Sequence, residues 1–519
     1  MQTPFGDLPN RLAVDMSMDE QHDWLRRRLT RRTLLKGASV AGASSALLWA
    51  QPTRTRAEAG QVYGRHVAYG GDPTTEMIVG FASTGPVSHA AVQLSSGQSA
   101  PADIQTVPGS PARYLRARFE ALQPGANYEY TIQIDGQSVT GGSFKTAPDG
   151  NLPFRFTAFA DQDVGPDSVA VLSRVAGLQP LVHLVAGDLC YADSTGAGGP
   201  GDVLKPQRWD RWLNQNDSVA SRVPWMIVPG NHEMEPGYGT HGYAGMLARV
   251  AIGGSAPLDV PVASAFRLGS VGFIGLDSND VSNEIPANRG WSAGRQTAWL
   301  ESTLVDYRRP SSGIEFVVAY HHAGPYSTSA SHGSEGGVRD HWVPLYDRYA
   351  VDLVVSGHNH CYERTLPLRD GKVTGTGLAE VDSRTGTTYV TAGGGGAGFN
   401  THGFGNRRQT RVATPQGSQL SSADWSTAPR GLNHSVLCVD VTPGTAARPG
   451  RMHVRAITKN GRVMDEWTMS RSAGTLPGLA PSPSTPSWPV AAAALAGSGA
   501  LLVAGEQRRR HRNTGTTAT

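Results

Sequence analysis

Between residues 152 and 360, short apolar runs end repeatedly in polar, glycine-rich tips. The runs are Phe154 to Ala160, Leu181 to Ala186, Trp225 to Val228, Phe316 to Tyr320 and Val351 to Val355. Short apolar runs bounded by turn formers read as buried strands. Two of the intervening stretches, Val203 to Ala220 and Gly290 to Tyr307, suit helices. Strands alternating with helices predict an α/β (α+β layered) domain, and in such sheets ligands gather beyond the carboxyl ends of the strands. From Gly60 to about Ala147 the texture differs. Alternating runs such as Met77 to Phe81 and Tyr114 to Phe119 are separated by Gly and Pro, which predicts a small all-β module. There is no internal repeat. The run Gly393 to Gly396 lacks a phosphate-loop lysine and reads as a turn.

Composition narrows the class. The chain has 519 residues, enough for about two to four domains. Hydrophobic residues make up 39% and charged residues 17%, a globular balance. The net charge of +3 is too small to indicate nucleic acid. Much of the basic excess lies in Arg26 to Lys36 and Arg508 to Arg512, so attraction for an anionic substrate must come from a local site. Three cysteines, Cys190, Cys361 and Cys438, make no disulfide framework, and at least one is unpaired. Cys190 and Cys361 flank candidate ligands and read either as a disulfide or as two small buried fillers.

The two ends read as addresses. Thr30-Arg31-Arg32-Thr33-Leu34-Leu35-Lys36 resembles a twin-arginine export signal, followed by an apolar stretch from Ala38 to Ala50 and a small-x-small site at Ala57-Glu58-Ala59. Residues 1–59 are therefore set aside as a signal read by the twin-arginine export machinery, with Met16 or Met18 as alternative translation starts. Residues 473–487 are a Pro/Ser linker, 488–505 an uncharged stretch near the lower limit for a membrane span, and 506–519 a basic tail. The expectation is an enzyme on the outer face of the cell membrane, anchored at its carboxyl end, or secreted.

Each strand tip in the larger domain delivers metal-ligand types. The sets are Asp161-Gln162-Asp163, Gly187-Asp188-Leu189-Cys190-Tyr191, Gly230-Asn231-His232-Glu233, His321-His322 and Gly357-His358-Asn359-His360. One Asp or His at a strand end is ordinarily a cap or a satisfied polar group. Five in order, each closing an apolar run, are hard to explain as packing. The donors are oxygen and nitrogen with no required thiolate, which suits iron, manganese or zinc. Two such ions about 3.5–4 Å apart polarise a phosphate and acidify bound water.

The ordered set D, GDxxY, GNHE, VxxH and GHxH resembles the metallophosphoesterases in their purple acid phosphatase branch, over residues 62–470. Gly187 to Asp193 reads GDLCYAD, and Gly357 to Arg364 reads GHNHCYER. The resemblance implies a four-layer β-sandwich flanked by helices over residues 149–472. A fibronectin type III-like β-sandwich over 60–148 would precede it, marked by Leu122 to Tyr130 with its corner tyrosine. It implies Asp161, Tyr191 and His360 on a ferric ion, and Asn231, His321 and His358 on a divalent iron, zinc or manganese ion. Asp188 would bridge the two. His321 is preferred to His322 because the VxxH spacing ends on it, although Ala323 stands where the family has proline. Asp163 stands where the family usually has glycine. His232 would contact phosphate oxygens, and His332 would protonate the leaving group. The implied activity is hydrolysis of a small phosphate monoester by in-line attack of a metal-bound hydroxide, as in acid phosphatases. A phosphodiesterase or nucleotidase on the same core is the alternative, and a non-catalytic wall-associated binding protein a remote one. No nucleic-acid partner is expected beyond a nucleotide substrate.

Overall fold

The computed structural model describes residues 61–471, apart from 199–201, 258, 400–401 and 427. The export signal, linker, anchor and basic tail expected from the sequence lie outside the described residues. No described helix is long and apolar enough to cross a membrane.

Seven antiparallel strands form the amino-terminal domain: β1 Val62–Tyr69, β2 Met77–Ser83, β3 Ala90–Leu94, β4 Ser99–Gln105, β5 Arg113–Phe119, β6 Asn127–Ile134 and β7 Gln137–Lys145. They hydrogen-bond in the order β1-β2-β5-β4-β3-β6-β7. In β6 the period of two is plain: Tyr128, Tyr130, Ile132 and Ile134 are buried between exposed or half-buried neighbours. The Tyr128 hydroxyl accepts the Gln123 N–H at 2.8 Å, so the turn before β6 is tied to the strand by a corner tyrosine.

The larger domain is two mixed sheets face to face. In the first, β8 Phe154–Phe159, β9 Val182–Ala186 and β10 Trp225–Val228 run parallel. On its other side β8 pairs antiparallel with Ser435–Thr442, and the sheet continues through Gly450–Thr458 and Val463–Arg471 to Glu380–Asp382. The second sheet holds β11 Ser264–Leu268, β12 Val271–Leu276 and β13 Phe316–Ala323, then Leu353–Gly357, Thr388–Ala392, Tyr362–Arg364 and Arg430–Gly431. Phe156 of the first sheet meets Phe273 of the second edge-on, with centroids 5.2 Å apart. Each is fully buried, and such a side chain contributes about 2 kcal/mol on leaving water.

Helices cover the outer faces. Val171 and Val175 of Pro166–Leu178, with Trp209 and Trp212 of Gln207–Ala220, join Phe159, Val185 and Trp225 in one cluster. Leu300 and Leu304 of Arg295–Arg308 pack with Ile274, Val317 and Val354. Strands covered on both faces are continuous apolar runs, the pattern the sequence shows. All three cysteines are free and buried, so the small-filler reading holds and the Cys190–Cys361 disulfide does not form.

The helix Gln207–Ala220 touches both domains. Outward, Asp210 accepts the Tyr63 and Tyr114 hydroxyls, each at 2.8 Å, and Asp217 pairs with Arg65 at 2.5 Å. Inward, Trp212 Nε1 donates to Gln162 Oε1 at 2.6 Å, between the two aspartates of the first strand tip.

Candidate metal centre

The loops leaving β8, β9, β10, β13 and Leu353–Gly357 meet at one end of the sandwich. Their backbone is unusual for residues with side chains. Asp161 has φ 59°, Asp163 61°, Asp188 52°, Tyr191 51° and His358 67°. The left-handed region costs about 1–2 kcal/mol for an ordinary L-residue, and such residues collect where a site needs a side chain aimed inward. Two glycines let the loops touch: a Cβ on Gly230 would fall 2.0 Å from Asp188 Oδ1, and one on Gly357 2.5 Å from Asp161 Oδ2.

Three triads of ligand atoms result among the described residues, each within 4.8 Å: Asp161, Asp188 and His360; Asp188, His322 and His358; and Glu284, His332 and His358, which borders the second through His358. The first two meet at the centre, and all of their residues are buried. Tyr191 joins the first, its hydroxyl donating to Asp161 Oδ1 at 3.2 Å and lying 2.9 Å from His360 Nε2. Asn231 joins the second, with Oδ1 3.1 Å from His322 Nε2. Asp188 belongs to both.

The second triad corrects the histidine assignment. His322 places Nε2 3.1 Å from Asp188 Oδ2 and anchors Nδ1 on the Ala186 carbonyl at 2.9 Å. His321 points the other way. Its Nδ1 donates to the Ala323 carbonyl at 3.0 Å, and its ring lies against Trp342 and Tyr346. Burial pushes the His321 imidazole down to about 3, so it is a neutral core residue.

Electrostatics ask for a cation. Burial alone would lower His322, but Asp188 and Asp161 outweigh it and lift the imidazole to about 9, leaving a proton between the carboxylates. Asp188 is likewise held below the ordinary carboxylate range: burial opposes this, and His322 and His232 overcome it. Burial and the Asp161 carboxylate drive the Tyr191 phenol well above its usual value, so only a strongly charged neighbour could make it a phenolate. The oxygen–nitrogen donor set and buried, protonated thiols at Cys190 and Cys361 fit two hard or borderline cations.

His232 stands beside this cluster. Its Nδ1 is 2.5 Å from Asp193 Oδ1. Burial disfavours its charge, yet Asp193 and Asp188 raise it to about 10. His332 lies on the other side, with its ring 4.0 Å from that of His358.

Asp163 does not enter the cluster. Its carboxylate forms a buried ion pair with Arg208 of Gln207–Ala220 and accepts the Val164 N–H at 2.7 Å. Its left-handed φ explains why glycine is the usual occupant, and aspartate is among the few other residues that visit this region readily.

Three participants were missed by the motif reading. Glu233 accepts three backbone N–H groups, from Asp188, Leu189 and Gly230, at 2.7 to 2.9 Å, and so locks the β9 and β10 tips together. Asp193 orients His232. Both lie inside quoted motifs and could have been found there. Glu284 contacts His332 and His358 from a loop with no sequence signature.

Comparison with known proteins agrees with this geometry. The calcineurin-like phosphoesterase family matches residues 166–362. An uncharacterised Mycobacterium tuberculosis protein is 28% identical over 536 aligned positions, covering 89% of this chain and all of that protein. Purple acid phosphatase 23 of Arabidopsis thaliana is 26% identical over 47% of this chain and 56% of its own length. Among solved structures, a purple acid phosphatase from yellow lupin (Lupinus luteus) superposes with a TM-score of 0.64 at 18% identity, over 80% of this chain and 75% of that one. PhoD superposes with a TM-score of 0.51 at 14% identity, over 80% and 92%. Residues 166–362 therefore match the calcineurin-like phosphoesterase family, and the fold is like that of the purple acid phosphatase and PhoD structures, with an amino-terminal β domain.

Proposed function

We propose that the protein hydrolyses phosphate esters, small monoesters foremost, at a centre of two cations. The observation that carries this reading is the pair of ligand triads joined through Asp188. Asp161, Tyr191 and His360 would hold one ion, a ferric one. Asn231, His322 and His358 would hold a divalent iron, zinc or manganese ion, with Asp188 common to both. When bound, the ions would supply Lewis-acid polarisation of the phosphoryl group and water of lowered pKa.

The chain's own residues do the rest. His232, whose Nδ1 is held by Asp193, offers a donor to a phosphoryl oxygen on which negative charge builds. Glu233 fixes the loop that presents Asn231 and His232. His332, whose ring lies 4.0 Å from that of His358, would meet the leaving group. Location outside the cell, through the export signal and carboxyl-terminal anchor, belongs to the same proposal and rests on the sequence.

The test combines assay and spectrum. Metal-replete protein is expected to contain two metal equivalents, to cleave p-nitrophenyl phosphate and, with iron, to show a visible tyrosinate-to-iron band that Tyr191→Phe abolishes. Failure to hydrolyse both p-nitrophenyl and bis-p-nitrophenyl phosphate would sink the enzyme reading. A band unchanged in Tyr191→Phe would sink the ferric assignment alone.

A further inference from the structure

Glu284 places a carboxylate beside the two triads that share Asp188, in a third group with His332 and His358 that does not include Asp188. Its Oε1 accepts from His332 Nδ1 at 2.8 Å, and its Oε2 lies 3.2 Å from His358 Nε2. Among the described residues, its ion-pair partners are both imidazoles. The loop that carries it is held in place: Glu335 accepts from Ser282 Oγ at 2.9 Å and from the N–H groups of Asn283 at 2.8 Å and Glu284 at 3.2 Å. Arg289 Nη1 donates to Asn283 Oδ1 at 3.1 Å. The Glu284 side chain is 26% exposed.

His358 connects this carboxylate to the centre, because its ligand atom lies within 4.8 Å of those of Asp188 and His322. A phosphoryl group bound at that centre would feel the Glu284 charge, and for a separation on the order of 7 Å an effective dielectric between 20 and 80 makes each unit of like charge cost about threefold to fiftyfold in binding. The cost scales with the charge on the phosphoryl group. A diester carries one negative charge. A monoester carries one below its second pKa of about 6 and two above it.

We propose that Glu284 is a charge-selectivity residue that favours phosphoryl groups bearing a single negative charge: diesters at any pH, and monoesters as their monoanions in acid. This rests on the phosphoesterase reading above and deepens it. It predicts, on electrostatic grounds, an acid preference with monoesters that depends on the ionisation of the substrate.

The test compares wild type, Glu284→Gln and Glu284→Asp at matched metal content. It measures kcat/KM for p-nitrophenyl and bis-p-nitrophenyl phosphate at pH 5 and pH 8, and calorimetric binding of inorganic phosphate at pH 8. At pH 8, Glu284→Gln is expected to raise the monoester-to-diester ratio about tenfold and to tighten phosphate binding similarly. At pH 5 the ratio should change much less, and Glu284→Asp should keep the wild-type pattern. An unchanged ratio with unchanged phosphate affinity overturns the proposal. So does an equal fall on both esters, which marks a structural role, or the loss of a metal equivalent in Glu284→Gln, which marks a ligand. If wild type cleaves neither ester, the phosphoesterase reading fails, and the phosphate arm still decides whether Glu284 screens charge.

Discussion

Adjacent residues of a strand face opposite sides, and at His321 and His322 this alternation separates a ligand from a core side chain. In β13, Val318 and Tyr320 point into the space between the sheets, whereas Val317 and Ala319 point toward the helix layer. Even-numbered positions thus lead to the centre, and His322 continues that row. Substituting alanine at each tests the assignment. His322→Ala should lose one metal equivalent and lower activity by at least about 100-fold, the upper end of what even an outer-shell loss costs. His321→Ala should keep both metals and instead lower unfolding stability by about 2–4 kcal/mol through the cavity left between Trp342 and Tyr346. Metal analysis and urea titration read the two effects separately. The sequence motif could not decide this, since a spacing rule says nothing about which face of a strand meets the site. The aspartates, Tyr191, Asn231, His358 and His360 were legible because each sits at a tip beyond the last strand residue, where no face has to be chosen. Glu284 was invisible for a related reason: it reaches the centre only through a folded loop pinned by Glu335.

Elements were easiest to read where burial is two-sided. The runs Phe154 to Ala160, Leu181 to Ala186 and Trp225 to Val228 became β8, β9 and β10 almost as drawn, because strands covered on both faces need uninterrupted apolar side chains. The run from Val351 shifted to Leu353–Gly357, because Asp352 is occupied by Arg308 and Arg471. Contacts between elements left no sequence trace, and His66 in β1 is the clearest case. Its Nδ1–H donates to the Gly64 carbonyl at 2.8 Å, and its Nε2 accepts the Ala251 N–H of the catalytic domain at 3.0 Å. Burial, opposed in part by the Gly64 bond, lowers the imidazole to about 4. The unfolded value is about 6.5, so the fold favours the neutral ring. That stabilisation is complete above pH 6.5 and is lost as pH falls toward 4, by about 3 kcal/mol in all. Denaturant titrations at pH 7 and pH 4 should show this loss in wild type. It should be absent in His66→Gln, which has no proton to gain.

At the scale of the molecule, the helix Gln207–Ala220 links the amino-terminal β domain to the centre. Gln207–Ala220 carries Asp210 and Asp217 toward β1 and β5, and Arg208, Trp212 and Asn216 toward Asp163 and Gln162. Strand order adds a second constraint. β8, which delivers Asp161, lies between β9 and Ser435–Thr442, and the latter follows the last candidate ligand, His360, in the chain. A strand needs both neighbours before its tip is fixed, and pairings this remote in sequence form late. This arrangement sets an order of assembly during synthesis. The β domain can close as soon as residue 145 has left the ribosome, while the centre must wait for residues 435–442. A chain arrested before Ser435 should carry a folded β domain yet take up no stoichiometric metal, and one extended through Arg471 should take up two equivalents. Metal capture would then act as a proofreading step, accepting only chains that have been made nearly to the end of the catalytic domain.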